Sequence, residues 1–167
     1  MTVDLLSIIN IEGKSLEVSD SIDFSGKNEI DVCFKDKAAV NAKFTVLGGS
    51  VNLTATVSCP MEYMCDRCGN TFSDTLKFEF EEILKKETPN HKDEDKDPDV
   101  IFFTGNTVSM DEIVYKNIYM NLPAKKLCQE DCKGLCPKCG KNLNEGTCGC
   151  ETKTTDPRLE ILKTLLK

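Results

Sequence analysis

The stretch that decides the fold reads VNAKFTVLGGSVNLTATV over residues 40–57. Apolar and polar side chains alternate on both sides of Gly48 and Gly49, which is the two-residue period of strands that bury one face. Two adjacent glycines supply the positive φ angles that a tight hairpin turn requires. The stretch therefore predicts two antiparallel strands joined by a hairpin.

The same alternation continues before and after this hairpin. Two further strands are predicted from their apolar positions. The first precedes the hairpin in the chain, with Ile30, Val32 and Phe34, and the second follows it, with Leu76, Phe78 and Phe80. A half-buried sheet needs an apolar face in order to fold, so we interpret this face as core and not as a binding surface. The body is predicted to be mostly an antiparallel sheet.

A helix is predicted at about residues 110–122. Ser109 occupies an N-cap position, and Glu112, three residues later, completes a capping box. Apolar residues then recur at four-residue spacing, at Met110, Val114, Ile118 and Leu122. Pro123 ends the pattern. We expect this helix to pack on the sheet, which gives an α+β fold.

Two further segments have recognisable composition. Residues 85–99 contain no apolar side chain except prolines and predict a charged loop, in which His91, the only histidine, is interpreted as solvent-exposed rather than catalytic or metal-binding. Asp156 and Pro157 then mark the start of a short amphipathic terminal helix. Its leucine face is expected to pack on the body, although a partner is the alternative.

Length and composition bound the class of protein. The 167 residues, 40% hydrophobic and 29% charged, fit a β-rich body over residues 1–122 with an appendage over residues 123–167. The sequence lacks an apolar run of the roughly 18 residues needed to span a bilayer, and its first residues lack the basic start of a secretory signal. We therefore expect a cytoplasmic protein without a membrane partner.

The net charge of −7 is unevenly distributed. Residues 123–167 hold nine of the 21 basic and six of the 28 acidic side chains, a balance of +3, which leaves −10 for residues 1–122. A basic tail favours local contact with phosphates, whereas an acidic body disfavours non-specific binding to nucleic acid. Each zinc held by four thiolates leaves −2 at its site, so metal binding would offset much of the tail's positive charge.

Ten cysteines in a cytoplasmic chain indicate metal or redox chemistry before disulfides. Cys136 and Cys139 form a CxxC pair followed by Gly140, the spacing of a zinc knuckle, and Cys148 and Cys150 supply two more thiols. These four make a complete tetrahedral set within a short segment. Because that segment has little apolar material to bury, we expect Zn²⁺ to provide its folding energy.

A second zinc is predicted from the remaining doublets. Cys65 and Cys68, followed by Gly69, repeat the knuckle, and Cys128 and Cys132 lack a partner pair of their own. Three pairings of the four doublets are conceivable. Closing a short loop costs less entropy than closing one of about 60 residues, which favours the set that ends at Cys150. The isolated cysteines, Cys33 and Cys59, are interpreted as ordinary small residues.

Other chemistries are less well supported by the pattern. Thiol redox catalysis favours a CxxC at a helix N-terminus, and turn residues follow both knuckles here. A catalytic zinc usually keeps an open position and often a histidine, and none lies near the clusters. We find no nucleophile-and-base pattern and no phosphate-binding loop. The sequence predicts a non-enzymatic protein without a small-molecule substrate; a redox sensor or oxidoreductase and a zinc-dependent adaptor remain alternatives.

Several motifs together resemble one bacterial family. They are Cys65-Asp66-Arg67-Cys68, Leu122-Pro123, the run from Cys132 to Asn144, Cys148-Gly149-Cys150, and Asp156-Pro157-Arg158-Leu159. This set is similar to the YceD family, named for large ribosomal RNA subunit accumulation, over roughly residues 40–167. The resemblance implies a cytoplasmic, non-enzymatic factor for the synthesis, processing or stability of 23S ribosomal RNA. Some members of the family lack the C-terminal cluster, which implies an architectural metal.

Basic residues beside the knuckles offer a route to RNA. The candidate phosphate contacts are Arg67, Lys125, Lys126, Lys133, Lys138 and Lys141. No aromatic residue follows Tyr119, so the tail lacks a platform for stacking bases. The alternative is that these charges are solubilising and that the partner is a ribosomal protein or an assembly factor.

Overall fold

The fold is seen in a computed structural model that describes residues 1–27, 32–87 and 99–150. Eight strands and one helix occur within these ranges. In chain order they are β1 Thr2–Asp4, β2 Ser15–Ile22, β3 Val32–Phe34, β4 Ala38–Leu47, β5 Ser50–Met64, β6 Thr71–Lys86, β7 Val100–Phe103, β8 Thr107–Ser109 and α1 Met110–Met120. The predictions for Ile30, for His91 and for the helix that begins at Asp156 lie outside the described residues.

The main sheet is organised around the predicted hairpin. β4 and β5 pair antiparallel down to Leu47 opposite Ser50, so Gly48 and Gly49 form the turn, with φ of 58° and 74°. The strand order is β2-β4-β5-β6-β7, and β3 pairs with β5. The hairpin and the strand around Phe78 are confirmed. β2 pairs with β4 along its whole length and was not predicted.

One edge of the sheet departs from the antiparallel prediction. β6 and β7 run parallel, from Ile83 opposite Val100 to Lys86 opposite Phe103. Parallel neighbours need a crossover of about a dozen residues, and the charged stretch between these strands has that length. The predicted loop also begins too early, because Lys85 and Lys86 belong to β6. Residues 88–98 of the predicted loop lie outside the described residues.

The core lies on one face of the central strands. Burial alternates along β4 and β5 as the sequence pattern predicts, with Phe44, Leu53 and Val57 fully buried. The helix contributes four buried residues, Met110, Ile113, Val114 and Ile118. Asn117 on the helix donates from Nδ2 to Oε1 of Glu82 in β6 at 3.0 Å. The helix is therefore packed on the sheet, as expected for this α+β fold.

The start of the helix differs from the predicted capping box. Ser109 has an extended conformation and makes no side-chain cap hydrogen bond. It is the last residue of β8 and pairs with Thr2 of β1. The Met110 N–H donates to the carbonyl of Met1 at 3.0 Å, and the Met1 ammonium pairs with Asp111. A backbone hydrogen bond to Met1, just before β1, thus takes the place of the serine cap, and the capping-box prediction is wrong.

The chain divides into two compact units. We call Met1–Tyr63 with Ser73–Ala124 the sheet unit, and Met64–Phe72 with Lys125–Lys167 the cysteine unit. Residues 65–70, which connect β5 to β6, thus group with the tail. The division into a body over residues 1–122 and an appendage over residues 123–167 stays a prediction from the sequence. In the described ranges, no helix is long and apolar enough to cross a membrane.

Candidate metal centres

The first knuckle is a tight turn within the cysteine unit. The Cys65 N–H donates to the Asn70 carbonyl and the Gly69 N–H donates to the Cys65 carbonyl, both at 2.9 Å. Gly69 has φ of 71°, a left-handed conformation that favours glycine. The glycine after the second cysteine therefore serves the turn that the sequence pattern predicts.

The second knuckle repeats this construction. The Gly140 N–H donates to the Cys136 carbonyl at 2.9 Å, and Gly140 has φ of 72°. The Cys136 N–H also donates to the Lys141 carbonyl at 2.9 Å. Both CxxCG motifs thus adopt one backbone design.

Eight thiols converge in two groups of four. In each group all sulfurs lie within 4.8 Å of one another. We call Cys65, Cys68, Cys128 and Cys132 the long-range centre, and Cys136, Cys139, Cys148 and Cys150 the local centre. This is the grouping that the entropy of loop closure favours among the three conceivable pairings.

The sulfur separations suit a tetrahedral metal site. Sγ of Cys65 lies 3.8 Å from Sγ of Cys132, and Sγ of Cys68 lies 3.7 Å from Sγ of Cys128. Four thiolates around Zn²⁺, with Zn–S bonds of about 2.3 Å, define a tetrahedron with edges of about 3.8 Å. The residues present in the long-range centre therefore fit zinc without rearrangement of these two pairs.

The two centres differ in burial. In the long-range centre Cys65, Cys68 and Cys132 are buried, and Phe72 and Leu127 pack against them. In the local centre Cys136 is buried, Cys139 is exposed, and Cys148 and Cys150 are half-buried. Both groups can hold a metal ion, but solvent reaches the local centre more easily.

Backbone N–H groups lower the pKa of Cys65 in the long-range centre and of Cys136 in the local centre. The Cys128 N–H lies 3.4 Å from Sγ of Cys65 and lowers the pKa of that thiol to about 6. The backbone N–H groups of Cys139 and Lys138 lower the pKa of Cys136, also to about 6. Donors aimed at sulfur are the surroundings that a metal-bound thiolate needs.

Other thiols of the same centres resist ionisation in the absence of metal. Burial, followed by the neighbouring thiols, raises the pKa of Cys128 to about 12. The thiols of Cys139 and Cys148 raise the pKa of Cys150 to about 12. Four sulfurs so close together cannot all ionise without a cation, because like charges repel at this distance. A divalent metal would displace the remaining protons.

Arg67 has a structural role in the cysteine unit. Its Nη1 donates to the carbonyl oxygens of Cys132 at 2.8 Å and Glu130 at 3.3 Å. Its own carbonyl accepts from the Leu135 N–H at 3.2 Å. The guanidinium thus ties the first knuckle to the segment around Cys132, a role that sequence reasoning did not anticipate.

The predicted RNA-contacting lysines have different surroundings. Nζ of Lys141 donates to the Thr147 carbonyl at 3.2 Å. The side chains of Lys125, Lys133 and Lys138 are exposed, and Lys126 is half-buried. Its backbone exchanges two hydrogen bonds with Asp66, at 2.7 and 2.8 Å. Within the described residues these four ammonium groups form no ion pair, which leaves them available to a partner.

Sequence reasoning missed Asn144 and Gly134. Asn144 Nδ2 lies 3.3 Å from Sγ of Cys132. A Cβ added to Gly134 would lie 3.0 Å from the Arg67 carbonyl oxygen. Both contacts join segments that are distant in the chain, so no local pattern signals them. Glycine and asparagine in this stretch suggested only turns.

The remaining cysteines lie apart from both groups. Cys33 in β3 is exposed and Cys59 in β5 is buried. Burial raises the pKa of Cys59 to about 11, so this thiol stays protonated. Neither belongs to a candidate metal group among the residues described.

An α+β protein with two groups of four cysteines, each group built on a CxxCG turn, is the class that this geometry defines. Residues 53–166 match the family described as "Large ribosomal RNA subunit accumulation protein YceD". The match covers more than half of the chain, and the chain belongs to this family. The family description links it to the accumulation of large-subunit ribosomal RNA.

Three relatives are similar over nearly the whole chain. They are uncharacterized proteins from Mycobacterium tuberculosis strain H37Rv, M. tuberculosis strain CDC 1551 and Mycobacterium bovis. Each is 22% identical over 169 residues, which cover 99% of this chain and 81% of the relative. No solved structure matches the chain.

Proposed function

We propose that this chain is a non-enzymatic ribosome-biogenesis factor that supports the synthesis, processing or stability of 23S ribosomal RNA, with two structural zinc ions. The observation that carries the proposal is the convergence of eight thiols in two groups of four, in a member of this family. The metal links segments of the chain to each other. It needs no open coordination position for that role.

Zinc is favoured by the chemistry of the donors. Each group offers four sulfurs, and soft thiolate ligands in a tetrahedral set suit Zn²⁺ better than hard cations such as Mg²⁺ or Ca²⁺. A group of four protein ligands closes the coordination sphere, which is typical of structural rather than catalytic zinc. When bound, the ion would act as a cross-link between the knuckles and the tail.

RNA contact by the cysteine unit is supported by exposed lysines rather than by the net charge of the unit. The unit has ten basic and seven acidic side chains, a balance of +3, while the sheet unit has 11 basic and 21 acidic ones, a balance of −10. Two tetrathiolate zinc sites would add −4 to the cysteine unit. Contact therefore depends on individual exposed lysines, such as Lys133 and Lys138, and not on the net charge of the unit.

The test of RNA contact is affinity for 23S ribosomal RNA fragments as a function of salt. For the zinc-loaded protein we expect the logarithm of the binding constant to fall linearly with the logarithm of salt concentration. Lys133→Ala with Lys138→Ala should reduce this slope by about one per lysine that contacts a phosphate.

A matched control uses two exposed lysines of β6, Lys77→Ala with Lys85→Ala, which remove the same charge from the sheet unit. An equal reduction of the salt slope in this control, or binding that does not depend on salt, contradicts phosphate contact by the cysteine unit. Binding to a ribosomal protein or an assembly factor, with no measurable affinity for RNA, favours the protein-partner alternative.

A thiol redox sensor is the second candidate, favoured by the lowered pKa of Cys65 and Cys136. Its test is metal analysis of protein purified without chelator, followed by thiol alkylation at pH 7. A redox protein would be folded without metal and would alkylate selectively at the thiols with a lowered pKa, which are Cys65, Cys132 and Cys136. Selectivity would disappear as the pH falls through about 6, because the reactive thiolates become protonated. Two bound metals and protection of all eight thiols support the architectural function.

A further inference from the structure

The loop between the two cysteine pairs of the local centre reaches the long-range centre. Asn144 lies between Cys139 and Cys148 in the chain, yet its Nδ2 lies 3.3 Å from Sγ of Cys132. Cys132 is 3% exposed and is a member of the long-range group. One side chain thus belongs to the loop of one centre and contacts a thiol of the other.

The Asn144 amide has its full set of hydrogen bonds. Nδ2 also donates to Oδ1 of Asn142 at 2.9 Å, and Oδ1 accepts from the Lys133 N–H at 2.8 Å and from Nε2 of Gln129 at 3.4 Å. A side-chain amide has two donor hydrogens and two acceptor lone pairs, and all four are used. A flipped amide would place its oxygen against the sulfur and its NH₂ against a backbone N–H. The network therefore fixes the donor toward Cys132.

The position of Asn144 depends on the fold of its loop. Its own N–H donates to Oδ1 of Asn142 at 3.0 Å. Leu143 N–H donates to the Gly134 carbonyl at 2.9 Å, and Asn142 forms a bridge with Leu135. Residues 140–147 contain little apolar surface to bury, so closure of the local centre is what holds both ends of this loop.

We propose that Asn144 links the two metal centres. Metal at the local centre orders the loop, the loop sets the N–H donor on the Cys132 thiolate, and the donor raises the metal affinity of the long-range centre. Four thiolates around a divalent cation carry a net charge of −2, which a donated N–H disperses. Partners that hydrogen-bond to metal ligands typically contribute 10- to 100-fold in metal affinity. The inference rests on the metal ligation in the proposed function.

Because linkage is reciprocal, metal at the long-range centre also favours loading of the local centre. The reason is that an ordered Cys132 presents an acceptor to Asn144 and so stabilises the same loop. A coupling of about tenfold would lower the fraction that carries one ion at half-saturation, for two sites of equal affinity, from about one half to about one quarter.

The experiment is a double-mutant cycle on the full chain with cadmium as the probe. Cadmium-113 NMR, with chelator competition, gives separate occupancies for the two tetrathiolate sites. Asn144→Ala should weaken cadmium at the long-range centre about tenfold when the local centre is intact. In the Cys148→Ser, Cys150→Ser background, where the loop is released, the same substitution should change the affinity less than about twofold.

Two further variants sharpen the cycle. Asn144→Asp keeps the acceptor for Lys133 but loses the donor and adds a negative charge, so it should weaken the long-range centre at least as much as alanine. Asn70→Ala is the matched control, since Asn70 is exposed, lies beside Cys68, and makes no side-chain hydrogen bond within the described residues. It should leave both occupancies unchanged.

The outcomes separate this inference from the proposed function. Two cadmium ions with an equal effect of Asn144→Ala in both backgrounds, or no effect in either, overturn the linkage and leave the metal sites standing. Failure of the unmodified chain to bind cadmium or zinc overturns both. A tenfold effect confined to the intact background supports the linkage.

Discussion

The sheet unit and the cysteine unit bury different materials. In the sheet unit the described core consists of aliphatic and aromatic side chains such as Phe44, Leu53 and Ile118. In the described part of the cysteine unit, the buried apolar side chains are all cysteines, namely Cys65, Cys68, Cys132 and Cys136. The first unit is stabilised by removal of apolar surface from water, whereas the described part of the second unit buries little apolar surface apart from its thiols.

This contrast is the reason to expect metal where the thiols converge. A segment with few apolar residues recovers little free energy against the conformational entropy lost on folding. Structural zinc contributes about 10–16 kcal/mol in small peptides, which can offset that cost. The charges of the two units also differ, −10 against +3 from the sequence, although two zinc sites that add −4 would bring the second value to −1.

Removal of metal should give the largest difference in stability between the two units. With a chelator under reducing conditions, we expect the cysteine unit to lose its fold, because the cross-links of about 10 kcal/mol each are lost. The sheet unit should keep its structure. Amide NMR spectra before and after chelation test this, with zinc added back as the control for reversibility. Unchanged signals from residues 125–150 in metal-free protein would contradict the comparison.

A cavity in the sheet should have the converse effect. Phe44 is fully buried, and Phe44→Ala should lower the free energy of unfolding of the sheet unit by about 3–5 kcal/mol. Metal affinity should stay the same. Denaturant unfolding followed by circular dichroism, together with chelator competition, measures both quantities. Leu47→Ala, at an exposed position of the same strand, should cost less than about 0.5 kcal/mol. Equal losses for the two variants would argue against the assigned core.

Two glycines allow a finer test within the cysteine unit. Gly134 and Gly140 both have φ of 72°, but only Gly134 lies against another segment, the Arg67 carbonyl. Alanine at Gly140 should cost about 1–2 kcal/mol through backbone strain. Gly134→Ala should cost more, because the added Cβ meets a carbonyl oxygen. Denaturant unfolding of the metal-loaded protein compares them, and identical losses would show that the contact relaxes freely.

The smallest effect is expected at the helix N-terminus. Since the Ser109 side chain makes no cap hydrogen bond, Ser109→Ala should change the free energy of unfolding by less than about 0.5 kcal/mol. A serine that capped the helix would give a loss of about 1 kcal/mol. Thermal unfolding in parallel with the unmodified chain distinguishes these values and would also reveal any cap that forms in solution.

The strands and the helix could be predicted from sequence because their signals are local. Alternation from Val40 to Val57 marks the buried face, and Gly48 and Gly49 mark the turn. β2 was harder to recognise because Leu16 and Val18 are only half-buried at an edge of the sheet. The parallel pairing of β7 depends on which edge is open to it, and no local pattern specifies that choice.

The candidate site was predictable in its residue types and only partly in its connections. CxxCG spacing identifies both knuckles, because two thiols and a turn-permitting glycine are local features. Loop closure favours the local centre, but the partner of Cys65 and Cys68 lies about 60 residues away, beyond what spacing can decide. Sequence spacing likewise does not predict the contacts of Arg67 and Asn144 with the segment around Cys132.

By itself, the sequence determined a half-buried sheet with a hairpin, one amphipathic helix and a cysteine-rich tail, since periodicity and spacing encode burial and turns directly. Tertiary structure decided the parallel edge, the backbone cap of the helix, the pairing of the thiols and the contact between Asn144 and Cys132. These features depend on chain segments that meet only after folding, when burial and hydrogen bonding act across distances that no short motif records.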